Sequence, residues 1–239
     1  MSVSIEVLDD PSRTCSALMV GAAMSGGDVV LTGGTSPKVA YQEFVTAVKK
    51  VGMDLSRTTF WLSDERCVEV DDDRCNYRMI KESLLDPLAG STQPTMHRIK
   101  GELGHEAGAD DYERTLRDAG PPAFDMVLLG IGPDGHCASL FPGQETLQER
   151  SRLVVGVPQA GLEPFVPRVS LTIPALTAGR QIVFLATGES KADAVAEAFG
   201  PNAGPDPAVP SSLLAAEAKQ ITVLLDAAAA SRLNAGGRV

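Results

Sequence analysis

The chain has 239 residues, 44% hydrophobic and 22% charged, proportions that suit a globular protein with a sizeable core. Its formal net charge of −10 excludes nucleic acid or an anionic membrane as the main partner, since both call for a basic surface. Four cysteines without zinc-like spacing, no basic-then-apolar leader and no apolar run long enough to span a bilayer give the expectation of a cytoplasmic protein.

Short β-type runs alternate with stretches of helical period. Ile5–Leu8 reads as a first strand. Asp10-Pro11 supplies an N-cap and a proline at the first helical position, and Cys15, Leu18, Met19 and Ala22 then recur at helical spacing. Asp28–Leu31 is a second strand, and Ser36-Pro37 predicts the start of a second helix, with Ala40, Phe44, Ala47, Val48 and Val51 on its apolar face. Further strands are predicted at Thr59–Leu62, Phe124–Leu129, Gln181–Ala186 and Ile221–Leu225, and another helix carries Ala192, Val195, Ala196 and Phe199. Several strands lack in/out alternation, as expected when both faces are covered. The pattern predicts an α/β fold: one domain spanning 1–239, a doubly wound, mainly parallel, Rossmann-like sheet flanked by helices, with an irregular loop at 200–210.

In such a sheet the ligand sits beyond the carboxyl ends of the strands, and three of those loops are unusual. In Leu31-Thr-Gly-Gly-Thr-Ser-Pro37, Gly33 and Gly34 let the backbone approach a ligand, and the amides around Thr35 at the following helix start form an anion site. Ser63-Asp64-Glu65-Arg66 places an acid–acid–base trio directly after a strand, poorly suited to a solvated face; the Asp71–Asp73 run lacks the spacing of a calcium loop and reads as acidic surface. The third loop, Gly130-Ile-Gly-Pro-Asp-Gly-His136, sets Asp134 beside His136, one of three histidines and a side chain that titrates near neutral pH. His97 and His105 read as surface residues, and Cys137 as small buried packing.

Residues 130–143, GIGPDGHCASLFPG, closely resemble the signature of the 6-phosphogluconolactonase family. LTGGTSP, SDERCV followed by CNYRM, PRVSLTIPAL (167–176) and GESKADAV (188–195) resemble that family's other motifs, in order, over roughly residues 29 to 195. Cys137 stands where the family commonly has threonine and Cys75 where it commonly has serine. The resemblance implies a cytoplasmic hydrolase without metal or cofactor. Its substrate would be the small molecule 6-phospho-D-glucono-1,5-lactone, opened to 6-phosphogluconate in the oxidative pentose phosphate pathway, with no nucleic-acid or membrane partner and a monomer or weak homodimer as the working unit.

Residues and resemblance together give one expected mechanism. Amides at Gly33, Gly34 and Thr35 receive the phosphate, with Arg168 and Lys191 supplying the local positive charge that a protein of net −10 otherwise lacks. His136 activates water as general base, Arg66 stabilises the oxyanion, Asp64 fixes Arg66, and Asp134 orients His136. Two rivals remain: a glucosamine-6-phosphate deaminase/isomerase, whose family typically has Asp-Glu-Tyr in place of Asp64-Glu65-Arg66, and a non-catalytic sugar-phosphate sensor.

Overall fold

A computed structural model describes residues 2–120 and 123–233, so the expected 1–239 domain extends beyond the described residues. In chain order the first half forms β1 (Ser2–Val7), α1 (Pro11–Met24), β2 (Asp28–Leu31), α2 (Thr35–Val51), β3 (Thr59–Leu62), β4 (Asp64–Arg66), α3 (Asn76–Ile80), β5 (Thr95–His97) and α4 (His105–Ala119). The second half forms β6 (Met126–Leu129), β7 (Val154–Val157), β8 (Arg168–Leu171), α5 (Ile173–Thr177), β9 (Ile182–Ala186), α6 (Ala192–Phe199), α7 (Pro210–Glu217) and β10 (Gln220–Leu225). Among the described residues no helix is long and apolar enough to cross a membrane.

Seven strands pair in the order β1-β10-β9-β6-β2-β3-β5, every pair parallel. Val127, Leu128, Val183, Phe184, Val223 and Leu224 are all fully buried, which explains why the central strands show no alternation. The chain leaves β2 towards β3 and leaves β6 towards β9, in opposite directions along the sheet. The β2/β6 boundary is therefore a topological switch point, where the loops part and a crevice opens. β4, β7 and β8 form a second, antiparallel sheet that the strand pattern does not reveal.

Two local expectations need correction. Asp10 caps α1 by accepting from the Arg13 amide at 3.0 Å, as expected, but Ser36 is not the cap of α2. That helix begins two residues earlier, at Thr35 in place of Pro37, with Gly34 as its N-cap at φ 113°, a conformation open to glycine and closed to serine. His97 is not a free surface residue either: its ring stacks on Trp61 with centroids 4.2 Å apart, and burial lowers its pKa. His105 is likewise only partly exposed, with Gly156 packed against its backbone.

Candidate active site

Eight of the nine residues expected to act on substrate line one cavity of about 250 Å³ at the switch point; the ninth, Asp134, stands behind His136. The elements reach it from four directions.

The loop after β2 contributes backbone. α2 has no side-chain cap, so the first-turn amides of Thr35 and Ser36 open onto the cavity. Tyr41, further along α2, anchors the loop: its hydroxyl donates to the Thr32 carbonyl at 2.7 Å and accepts from the Thr32 amide at 3.0 Å. Ser36 turns away to share a 2.6 Å hydrogen bond with Thr187, tying this loop to the one after β9. Gly33 is required for a different reason from Gly34. A Cβ there would lie 2.0 Å from Asn76 Oδ1, so the asparagine closes onto bare backbone.

The loop after β6 contributes side chains. His136 Nδ1 lies 2.5 Å from Asp134 Oδ1, and the same carboxylate accepts from the His136 amide at 3.3 Å. Half-burial works to raise the Asp134 pKa, but its bonds and attraction to His136 outweigh that and hold it below the ordinary carboxylate range. An ionised Asp134 keeps the proton on Nδ1, which leaves Nε2 with its lone pair. The pair needs Gly132, where a Cβ would lie 2.0 Å from the imidazole. From outside, Gly135 (φ 78°) rests against Val209, and its carbonyl accepts from the Ser211 amide and hydroxyl at 3.0 and 2.8 Å. The start of α7 thus buttresses the histidine loop. Cys137 is buried, which pushes its thiol up to about 12 and leaves no thiolate.

The small antiparallel sheet brings the acid–acid–base trio to the same cavity, with roles other than those expected. Asp64 does not fix Arg66. It is buried, and its oxygens accept from Ser63 Oγ (3.0 Å), Ser139 Oγ (2.7 Å) and, at 3.5 Å, Asn76 Nδ2. Ser139 also donates its amide to Ser170 Oγ on β8 at 3.1 Å, so this chain of bonds fastens the histidine loop to the small sheet. A carboxylate buried behind the strand end is better served by hydroxyls than by a guanidinium that must reach the cavity. Arg66 instead donates Nη1 to the Arg74 carbonyl at 2.6 Å, while its buried Nε has no partner among the described residues.

Glu65, which the motif left without a role, is the brace. Almost wholly buried, it accepts from the amides of Arg66, Asn76 and Tyr77, each at 2.7 Å, and so joins β4 to the start of α3. Burial pushes its carboxyl up to about 7 against the opposing pull of those amides. Asn76, held by this brace, donates to the Asp64 carbonyl at 3.0 Å and meets Gly33, linking the first two loops. Nothing in periodicity or composition marks Glu65 or Asn76; only the motif around them does.

Two further cations complete the wall. Arg168 on β8 is buried and donates Nε to the Val166 carbonyl (3.3 Å) and Nη2 to the Pro164 carbonyl (2.9 Å). It stands directly opposite Arg66 in the β4/β8 register. Burial, and secondarily Arg66, depress its pKa, while Asp64 counters them. Lys191 follows β9, held by a turn whose Gly188 amide donates to the Asp226 carboxylate at 3.0 Å. Half-burial lowers its pKa, with Asp134 opposing. The result is a concave site with three cations, a helix N-terminus and an imidazole whose free nitrogen is defined.

The family model for glucosamine-6-phosphate isomerases/6-phosphogluconolactonase matches residues 17–223. A Homo sapiens 6-phosphogluconolactonase is 36% identical over 208 residues, covering 85% of this chain and 79% of that protein. One from Streptomyces coelicolor is 37% identical over 223 residues, 89% of this chain and 84% of the other. In three dimensions, the Trypanosoma brucei 6-phosphogluconolactonase superposes with a TM-score of 0.79 at 25% identity, covering 97% of this chain and 99% of that one.

Proposed function

Since the chain belongs to the glucosamine-6-phosphate isomerase/6-phosphogluconolactonase family, we propose that it hydrolyses 6-phospho-D-glucono-1,5-lactone to 6-phosphogluconate, with His136 as general base. The observation that carries this reading is the 2.5 Å Asp134–His136 pair on the wall of a cavity lined by Arg66, Arg168 and Lys191.

The phosphate lies against the Gly33–Thr35 amides and the dipole of α2, with Lys191 as a point charge and Arg168 as a planar fork. Like charges directly opposite on paired strands destabilise a sheet. A bound anion relieves that repulsion between Arg66 and Arg168, which supports an anionic substrate. Nε2 of His136 takes a proton from water as its oxygen attacks C1. The oxyanion that forms draws on Arg66, which lines the cavity, and the imidazolium then protonates the departing ring oxygen. Two features favour direct water attack over an acyl-enzyme: the Cys137 thiol is held neutral, and Ser139 is committed to Asp64. As a working organisation we propose a single catalytic domain acting as a monomer or weak homodimer.

The test is hydrolysis of freshly generated lactone, corrected for spontaneous decay. Wild type accelerates it, and His136→Ala, still folded, falls by at least about a hundredfold, the scale of a lost general base. Full activity in the variant removes His136 from the mechanism. A wild type that binds 6-phosphogluconate without accelerating hydrolysis removes the lactonase reading.

A further inference from the structure

Among the described residues, two carboxylates line the cavity, Asp64 and Glu163. Asp64 is buried and engaged by Ser63 and Ser139. Glu163 is exposed, and among the described residues it takes part in no salt bridge or side-chain hydrogen bond. Its backbone is nevertheless fixed on both sides. Leu162 packs against the small cluster of Phe141, Val157 and Ala160, and the Pro164 carbonyl accepts from Arg168. That cluster also gives the position of Glu163 within the cavity. Phe141 lies against the His136 ring, with centroids 4.7 Å apart, and the Arg168 guanidinium sits 6.0 Å from the centre of the Phe141 ring. Glu163 therefore borders the side of the cavity where Phe141 meets both His136 and Arg168.

A free carboxylate on the wall of an anion site weakens the binding of every anion by some amount. It weakens a ligand most where the ligand's own negative charge is nearest. The reaction proposed above creates a charge in one place. Water adds to C1, the bond from C1 to the ring oxygen breaks, C5 keeps a hydroxyl, and the new acid ionises by releasing a proton. The phosphate is unchanged, so product differs from substrate by one carboxylate at the histidine end.

Resting on that reading, we infer that Glu163 is a specificity-determining residue that disfavours the carboxylate product relative to the neutral lactone. It speeds product release from a site whose three cations otherwise retain a dianion and a carboxylate together. Charge repulsion across the width of the cavity is partly screened, so the effect is several-fold rather than many orders of magnitude.

The experiment compares wild type with Glu163→Gln by calorimetric titration of two probes. One is 6-phosphogluconate; the other is glucitol 6-phosphate, which has the same phosphate and a hydroxyl at C1. The variant is expected to bind 6-phosphogluconate about 3- to 10-fold more tightly at low salt, and by less at 0.5 M salt, while glucitol 6-phosphate changes less than about twofold. Equal tightening of both probes places Glu163 at the phosphate and overturns the inference; so does no change in either. Because these titrations need no turnover, their outcome is separate from the hydrolysis assay that tests the lactonase reading.

Discussion

The centre of the seven-stranded sheet and the three-stranded sheet are both buried, but by different means. In the large sheet the central strands are apolar on both faces, and the fold gains about 1.5–3 kcal/mol for each fully buried Leu, Val or Phe side chain. In the small sheet Asp64, Glu65, Arg168 and Ser170 are buried polar groups, each matched to a specific partner. Such groups offer little net stability, because hydrogen bonds only replace those made to water. What they supply is position. The large sheet holds the protein together, and the small one sets Arg66, Arg168 and, through Ser139, the histidine loop around the cavity.

The sharpest way to break this division is a large-to-small change in the first sheet. Leu128→Ala, at the centre of β6 and fully buried, is expected to cost about 3–5 kcal/mol of unfolding free energy. The variant should keep near-normal activity per folded molecule, measured in the same sample as a urea melt. A disproportionate loss of activity would mean that the large sheet also tunes the site.

A smaller effect probes the cost carried by the small sheet. The Glu65 carboxyl moves from 4.5 up to about 7 on folding, so between those values the native state binds more protons than the unfolded chain. Stability from this group is present below pH 4.5, falls as pH rises through about 7, and stays lost above it. The full swing is about 3 kcal/mol. Glu65→Gln cannot titrate, and its amide group meets the Tyr77 N–H donor to donor, so wild type is the more stable at pH 5. That gap should narrow towards pH 8 in paired urea melts. An unchanged gap would show that the three amide bonds offset burial fully and that the brace is held without cost.

The same division explains what could be read from sequence. Strands Asp28–Leu31 and Thr59–Leu62 coincide with their predicted bounds, because an unbroken apolar run flanked by turn residues has few other solutions. The small sheet escaped, apart from the Arg168 segment seen by resemblance. Its strands are three or four residues long, β7 contains Gly156, and β4 pairs with β8 from about a hundred residues away. α4 escaped as well: it buries Ala109, Tyr112 and Leu116 but is otherwise polar, too sparse a stripe to read. For the site, eight of the nine residues named from the motifs line one cavity, but Asp64 bonds to serine hydroxyls and not, as expected, to Arg66. Only three-dimensional packing shows that the serine hydroxyls claim Asp64 and that Glu65 holds the trio in place. Tertiary hydrogen bonds leave no periodic trace.

The smallest effect sharpens the comparison at the remaining cation, which belongs to neither sheet. Lys191 stands on the turn after β9, half-buried and close to Asp134, and burial lowers its pKa below 10.5. A lysine on open surface would stay charged through pH 9 and lend phosphate the same attraction throughout. Here the charge begins to fade earlier as pH rises, while phosphate itself remains a dianion over that range. Binding of 6-phosphogluconate is therefore expected to weaken between pH 8 and 10, and to stay flat in Lys191→Arg, whose guanidinium does not titrate there. A flat wild-type profile would show Lys191 fully charged, with the Asp134 carboxylate offsetting burial. A decline that persists in the arginine variant would move the titrating group elsewhere on the wall. Either result separates the two ways this cavity holds positive charge: guanidiniums locked into a small polar sheet, and an amine whose charge depends on how dry its turn is kept.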